Sequence, residues 1–439
     1  MIVNVKLGKN MLLCIMMKSD IIIIGGGAAG LFAAAMAATK GISVTLLEKN
    51  GRCGRKIALT GKGRCNLTNT KPWEEFQHHV HPKNIFFKNA FFAMDNIKVM
   101  EFFESIGLPL VVERGDRVFP KSMRAQDVTD TLVSWMESRG VDIITDCEVE
   151  EVKKDADSGI FTVIADGSLV ASSKNVIVAT GGLSYPVTGS TGDGYRFAKS
   201  FGHKIVECFP SLTALVPAGY SEQYHGISLK NVEATLLINN QLVQTEFGDI
   251  DFTNGGMEGP IGFKISRKAV QNLRNGQKVS VLLDLKPAVS LKQLADRIQR
   301  EIAALSAGQR DELEKNQERG VARHLMPKLM PKALVEPFVS SCRTNSGSSK
   351  RGLTIENLPH LLKEWRFEIR SNVGYERCVV TAGGVSLQEI SKKSMESKLV
   401  QGLYFVGEVL DLDGDTGGYN LQIAFSTAAL AVESVCKSK

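Results

Sequence analysis

Gly25, Gly27 and Gly30 stand at G-x-G-x-x-G spacing, and Glu48 follows eighteen residues after the last of them. Together these residue types can hold a dinucleotide. Gly25 allows a tight turn, Gly27 lets a pyrophosphate reach backbone amides at a helix N-terminus, and Gly30 lets that helix pack close to a strand. Glu48 can accept hydrogen bonds from adenosine ribose hydroxyls, and its charge disfavours a 2′-phosphate there. A second candidate is the stretch 407–420, GEVLDLDGDTGGYN, with Glu408, Asp411, Asp413 and Asp415 inside eight residues. Its alternating aspartates invite a calcium loop. An EF-hand needs Gly at its sixth position and a bidentate Glu at its twelfth, where this chain has Thr416 and Gln422. No metal is expected, and Asp411, Asp413 and Asp415 read as turn-shaping and helix-capping residues.

A strand must precede the first glycines, a helix must follow, and a second strand must deliver Glu48. Residues 20–24, DIIII, form the continuous apolar run that a strand covered on both faces needs. Residues 31–39 have a helical composition stopped by Gly41, and 43–47, SVTLL, complete a βαβ unit. Helical periodicity recurs over 96–106 and 126–139, and strand patterns over 142–145, 148–153, 161–164 and 175–179. Near the C-terminus 402–406 reads as a strand and 422–435 as an apolar helix. From about 205 to 370 the pattern changes. Strand-like runs at 235–238 and 279–283 are followed by a long charged helical stretch over about 291–317, then by MPKLMPKALVEP and CRTNSGSSKRG as irregular connections. The expected fold is α/β: a Rossmann-like domain in two parts, 18–204 and 371–439, around a β-rich substrate domain at 205–370 with a helical subdomain at about 288–335. Residues 1–17 read as an N-terminal extension, with Met16 or Met17 the functional start.

At 439 residues the chain exceeds one ordinary core. No apolar run approaches the roughly 20 residues of a bilayer span, and the start has no signal-cleavage pattern, so a cytoplasmic protein is expected. Eight cysteines (14, 53, 65, 147, 208, 342, 378 and 436) include no C-x-x-C, which argues against a zinc cluster or a dithiol redox centre. His78, His79 and His81 read as a solvated loop. The net charge of +6 is uneven: between 319 and 370, ten Lys and Arg face four Asp and Glu. Such a segment either attracts nucleic acid or is ordinary solvated surface.

The first motif alone does not separate NAD from FAD; three further features favour FAD. The loop 54–69, GRKIALTGKGRCNLTN, places Arg55, Lys56, Lys62 and Arg64 where they can balance the phosphates of a long cofactor. The strand ending in Ala179, Thr180, Gly181 and Gly182 lets backbone approach the cofactor a second time. Strand 402–406 then runs through Gly407-Glu408 to a Gly-Gly turn and a helix. With TGGLSYPVTGSTGDGY, FGDIDFTNGGMEGPIG and VTAGGVSLQEI, these motifs run in order from about residue 20 to the C-terminus. The chain resembles FAD enzymes of the glutathione-reductase-like superfamily, and within it the BaiN/RdsA-type (YhiN-like) flavoproteins. Two departures, Glu258 where Ser is usual before Gly-Pro and Cys378 before VVTAGG, fall on the expected substrate side.

The resemblance implies FAD as cofactor. Its contacts would come from Gly25, Gly27, Ala28, Ala29, Gly30, Glu48 and Lys49 at the first turn. Arg55, Lys56, Thr60, Gly61, Gly63, Arg64, Cys65 and Asn66 would follow in the loop, and Ala179, Thr180, Gly181 and Gly182 at the second approach. Glu408 beside Gly407 would meet the ribityl or pyrophosphate, and Gly417, Gly418, Tyr419, Asn420, Leu421 and Gln422 would aim a helix start at the flavin. No second G-x-G-x-x-G stands in a βαβ setting, so NAD(P)H is expected as a transient donor in a ping-pong cycle. The family implies reduction of an electron-poor C=C bond. The substrate is a uridine of 23S ribosomal RNA, approached through the basic 319–370 segment, or else a steroid- or bile-acid-like enone. A flavin-bound protein that only binds RNA or a partner is the third alternative. Trp365 and Phe367, interleaved with Arg366 and Arg370, either stack on RNA or belong to a core. Cys65, Tyr185 and Tyr419 are the proton-donor candidates, each with a structural reading beside the catalytic one; Cys378 is a weaker fourth.

Overall fold

In the computed structural model, which describes residues 17–82, 84–344 and 352–437, the run Ile21–Ile24 is the middle strand of a five-stranded parallel sheet. The order is Leu403–Phe405, Val176–Val178, Ile21–Ile24, Val44–Leu47 and Asp142–Ile144, with Ile22 between Val176 and Thr45. Ile21, Ile22 and Ile23 are wholly buried, which is why the run shows no polar alternation. Helix Ala28–Thr39 packs its alanines against helix Tyr419–Lys437, and the Phe32 ring lies 4.8 Å from Phe425 and 4.9 Å from Phe102. The Gly25 amide donates to Leu47 O and the Ala179 amide to Ile24 O, each at 2.8 Å. The carboxyl ends of three neighbouring strands are thereby tied together, the edge at which such sheets bind ligands.

The chain divides into two compact units, 1–209 with 379–439, and 210–378. The first also holds a four-stranded sheet in the order Met17–Lys18, Ser168–Ser173, Phe161–Ala165 and Val149–Lys154. Met17, the last residue of the expected extension, pairs there with Ala171; residues 1–16 lie outside the described chain. A two-stranded ladder joins Val80–His81 to Asp413–Gly414, pairing Asp413 with His81.

The second unit is a closed six-stranded barrel in the order Leu215–Pro217, Gly256–Glu258, Gln241–Thr253, Ile227–Ile238, Val279–Asp284 and Trp365–Asn372. The charged helical stretch expected over about 291–317 is helical, as two helices, Leu291–Ala303 and Ala307–Lys315. Ser306 and Gln309 form a capping box that starts the second, a polar signal that apolar periodicity does not register. MPKLMPKALVEP is not irregular either: Met326–Leu329 and Lys332–Thr344 are helical, with Pro327 in the first turn of one and Pro331 just before the other, where proline is tolerated. Residues 345–351, within the expected irregular connection CRTNSGSSKRG, lie outside the described residues. Trp365 and Phe367 are 3% and 6% exposed, with ring centroids 4.5 Å apart, and Trp365 Nε1 donates to Ser341 Oγ at 2.8 Å. They are barrel core and present no ring to an RNA base.

Candidate functional site

The turn between Ile21–Ile24 and Ala28–Thr39 is bare backbone. Gly25 has φ +104°, and a Cβ there would stand 2.7 Å from the Ala179 oxygen; one at Gly30 would stand 1.9 Å from the Gly25 oxygen. Both positions therefore require glycine. At Gly27 an added Cβ would meet nothing within 4 Å, so that side is open. Gly27 is the N-cap and offers no side-chain cap, which leaves the amides of Ala28, Ala29 and Gly30 without intrahelical acceptors. An open, uncapped helix start suits a pyrophosphate.

Glu48 is 7% exposed at the end of strand Val44–Leu47. Its Oε2 accepts from the Gly26 amide at 2.8 Å, and its Oε1 from the backbone and side-chain amides of Asn50 at 2.8 and 2.6 Å. Three of a carboxylate's roughly four acceptor sites are used, and the remainder can take a ribose hydroxyl. Lys49 turns to Asp193 and Thr191, both at 2.6 Å, while Arg55 donates to Asn50 Oδ1. These two cations brace the surroundings of Glu48.

The following loop winds through Ile57–Gly63 with Gly61 and Gly63 left-handed, and Thr60 Oγ1 donates to Ile57 O at 2.7 Å. Arg64 lies 4.4 Å over the Phe119 ring and pairs with Glu113 at 3.2 Å. Cys65 is wholly buried, and burial pushes its thiol up to about 12 against an opposing hydrogen bond with Thr60. A sealed thiol of such weak acidity is a poor proton donor. Asn66 Oδ1 and Thr180 Oγ1 are buried and have no hydrogen-bond partner among the described residues. Beside Gly181, Gly182 makes room for a convergence of four segments. Lys56 Nζ meets Glu408 Oε2 at 2.7 Å and also Ser184 Oγ, while Glu408 Oε1 accepts from Ser184 Oγ and, at 3.0 Å, from the Thr381 amide. A Cβ at Gly182 would strike Thr381 Oγ1 at 2.6 Å. Tyr185 has φ +53° and caps the short turn Pro186–Thr188, half-buried. Cys378 is wholly buried.

The Gly-Gly turn is held by side chains. Asn69 Nδ2 donates to Gly417 O at 3.1 Å, and a Cβ at Gly418 would stand 2.4 Å from Thr68 O. Asn420 folds back on Gly414, accepting from its amide and donating to its oxygen, each at 2.8 Å. Gln422 is fully buried between Thr68 Oγ1, Met94 O and Ser426 Oγ, so its side chain pins the helix; Leu421 is half-buried. Asp415 does not cap the helix as expected. Its Oδ2 meets His79 Nδ1 at 2.8 Å and its Oδ1 meets His81 Nε2 at 3.1 Å. His79 and His81 are thus fixed in place, contrary to the solvated-loop reading, and the His79 ring stacks on Tyr419 with centroids 4.3 Å apart. Burial raises the Asp415 carboxyl, but hydrogen bonds and charge from the two imidazoles outweigh it and hold the group down at about 2. Burial raises the Tyr419 phenol well above its ordinary range, helped by Asp415, Asp116 and Glu75.

Sequence reasoning missed Ser184, Thr381, His79, His81 and Asp415 as partners within the site. Ser184 and Thr381 did lie in quoted motifs, whereas only the ladder at 80–81 brings the histidines to Asp415. The open amides, the spare acceptor of Glu48 and the unpartnered Asn66 and Thr180 oxygens fit a dinucleotide cofactor.

A parallel sheet carrying an uncapped, glycine-lined helix start at its carboxyl edge defines a Rossmann-type dinucleotide-binding fold. The chain belongs to the HI0933-like protein Rossmann domain family, which matches residues 19–434. It is an FAD-dependent oxidoreductase. The relatives include the ribosomal RNA dihydrouridine synthases of Haemophilus influenzae and Escherichia coli. Each is 31% identical, over 95% and 97% of this chain and 99% and 100% of theirs. A 3-dehydro-bile acid delta(4,6)-reductase of Clostridium scindens is also 31% identical, over 92% of this chain and 96% of its own. Among solved structures, the 3-ketosteroid delta1-dehydrogenase of Sterolibacterium denitrificans superposes with a TM-score of 0.53. It covers 96% of this chain and 100% of that one at 13% identity, a likeness of fold. No helix among the described residues is long and apolar enough to cross a membrane.

Proposed function

We propose that the protein takes reducing equivalents from NAD(P)H and reduces a uridine of 23S ribosomal RNA to dihydrouridine in the cytoplasm. The observation that carries this reading is the match, over nearly the whole of both chains, to two relatives that bear that activity in their names. FAD, when bound, supplies the hydride. The chain's part is to hold it: the amides of Ala28, Ala29 and Gly30 for the pyrophosphate, Glu48 for the ribose, and backbone at 179–182 along its length. The start of helix Tyr419–Lys437 would stabilise negative charge on the reduced ring by about 0.3–1 kcal/mol. In this reading 210–378 is the substrate domain. The basic segment contributes less than its composition promised. Six of the eight described Lys and Arg between 319 and 370 are ion-paired: Arg319, Arg323, Lys328, Arg343, Lys363 and Arg366.

A second reading, reduction of a small-molecule enone, is favoured by the bile-acid reductase at equal identity. Nucleoside mass spectrometry of ribosomal RNA from cells lacking the gene separates the two. Loss of dihydrouridine, restored by the gene, is the expected result; an unchanged level removes the RNA reading. Anaerobic addition of NADH or NADPH should bleach the flavin absorbance, and no bleaching with either would remove the nicotinamide donor.

A further inference from the structure

Reducing a polarised C=C bond requires a proton as well as a hydride, and a donor that titrates near neutral pH is the most effective. Cys65 is sealed, and the Tyr419 phenol is buried and hard to ionise. The two histidines on Asp415 are different. The carboxylate takes Nδ1 of one ring and Nε2 of the other, which fixes the N–H of His79 on Nδ1 toward Asp415 and leaves its Nε2 on the side of the ring away from that carboxylate. The His79 and His81 side chains are 26% and 30% exposed, so water can restore their protons. The frame is rigid: the Asp415 amide donates to His79 O at 2.9 Å, and Gly414 pairs with Val80. His79 also lies flat on Tyr419, the first residue of the helix that leaves the Gly417-Gly418 turn. Among the described residues, the other charged or titratable groups facing the cluster are Glu75, Asp116 and Tyr419. Lys71 is paired to both Glu75 and Asp116, and exposed His78 is next in sequence.

We propose that His79, oriented by Asp415, is the acid that protonates the substrate carbon, and that His81 shares the carboxylate as a positioning residue. This rests on the reductase reading above. With hydride supplied by the reduced flavin to one carbon, the adjacent carbon takes the proton on His79 Nε2. That N–H bond breaks, a C–H bond forms, and imidazolium becomes neutral imidazole, which water reprotonates.

Two measurements on the full-length, FAD-loaded protein test this. Imidazole nitrogen NMR needs no substrate: the His79 ring should carry its proton on Nδ1, and Asp415→Asn should shift the tautomer toward Nε2–H. A tautomer that Asp415→Asn leaves unchanged overturns the proposal. In the second, enzyme reduced with dithionite is mixed with unmodified 23S ribosomal RNA transcript or with a 3-keto-4-ene steroid, and flavin reoxidation is followed across pH. If the wild type reacts with neither, the reductase reading falls and the inference with it. If it reacts, His79→Gln should slow reoxidation about 100-fold and change its pH profile. Asp415→Asn should slow reoxidation too, by a smaller factor than His79→Gln. His79→Gln reacting at the wild-type rate with the wild-type profile sinks the inference and leaves the reductase reading standing.

Discussion

Lys56 and Glu408 in one unit, and the cations around Glu312 in the other, are the same chemistry in different solvents. Lys56 and Glu408 are 23% and 21% exposed, and the carboxylate also receives Ser184 Oγ and the Thr381 amide. Glu312 gathers Arg319, Arg323 and His324 at 3.2, 3.4 and 2.8 Å, yet the two arginines are 70% and 63% exposed. His324 heads the influences that lower the Glu312 carboxyl, with Arg323 adding to it. The first pair is part-buried and tied to backbone, so losing a partner leaves the other charge short of its hydrogen bonds. The second sits in water and salt, where such pairs contribute little. A surplus of basic residues in sequence therefore does not identify the segment in which charges are held away from solvent.

The strongest way to break the comparison is to remove the frame that holds the first pair. Gly30→Ala puts a Cβ 1.9 Å from the Gly25 oxygen and must push the helix off the strand. Overpacking of this kind costs about 1–3 kcal/mol or more, and purified protein should retain under about a tenth of its FAD by absorbance. Lys56→Met comes next. It leaves Glu408 with a hydroxyl and one amide and should lower stability by about 2 kcal/mol in urea unfolding; an unchanged midpoint would equate this pair with the exposed ones.

The frame was more legible than the side-chain partners. The apolar run at 20–24, the glycine spacing and the alanine-rich helix each follow a local rule, and sheet and turn appear where those rules put them. The helix after the first glycines begins at Ala28, three residues before the periodicity showed it, because small residues there carry no pattern. Long-range partners obey no local rule. Thr381 reaches Glu408 across 27 residues, Lys56 across 352, and His79 reaches Asp415 across 336. His79 and His81 looked like part of a loop because their order depends on a two-residue ladder with a distant turn.

The Asp415 bridge sharpens the comparison through pH. Its folded carboxyl titrates at about 2, below the ordinary 3.8, so it stabilises the fold above about pH 4 and that stabilisation is lost as pH falls toward 2. The difference amounts to on the order of 2 kcal/mol. Urea unfolding at pH 4 and near pH 2 should show Asp415→Asn losing less stability than the wild type over that interval; equal losses would mean that the imidazoles do not hold the carboxylate.

The smallest effect is expected at Glu312. Arg319→Ala removes one of three cations from a carboxylate that keeps Arg323 and His324, at a side chain that is 70% exposed. Exposed pairs of this kind trade Coulomb energy for side-chain entropy with little net gain. The Tm should therefore move by less than about 1 °C at ordinary ionic strength, and what shift there is should fade in molar salt. A loss as large as that of Lys56→Met would show the helical segment to be electrostatically cross-linked after all, and the contrast between the two units would collapse.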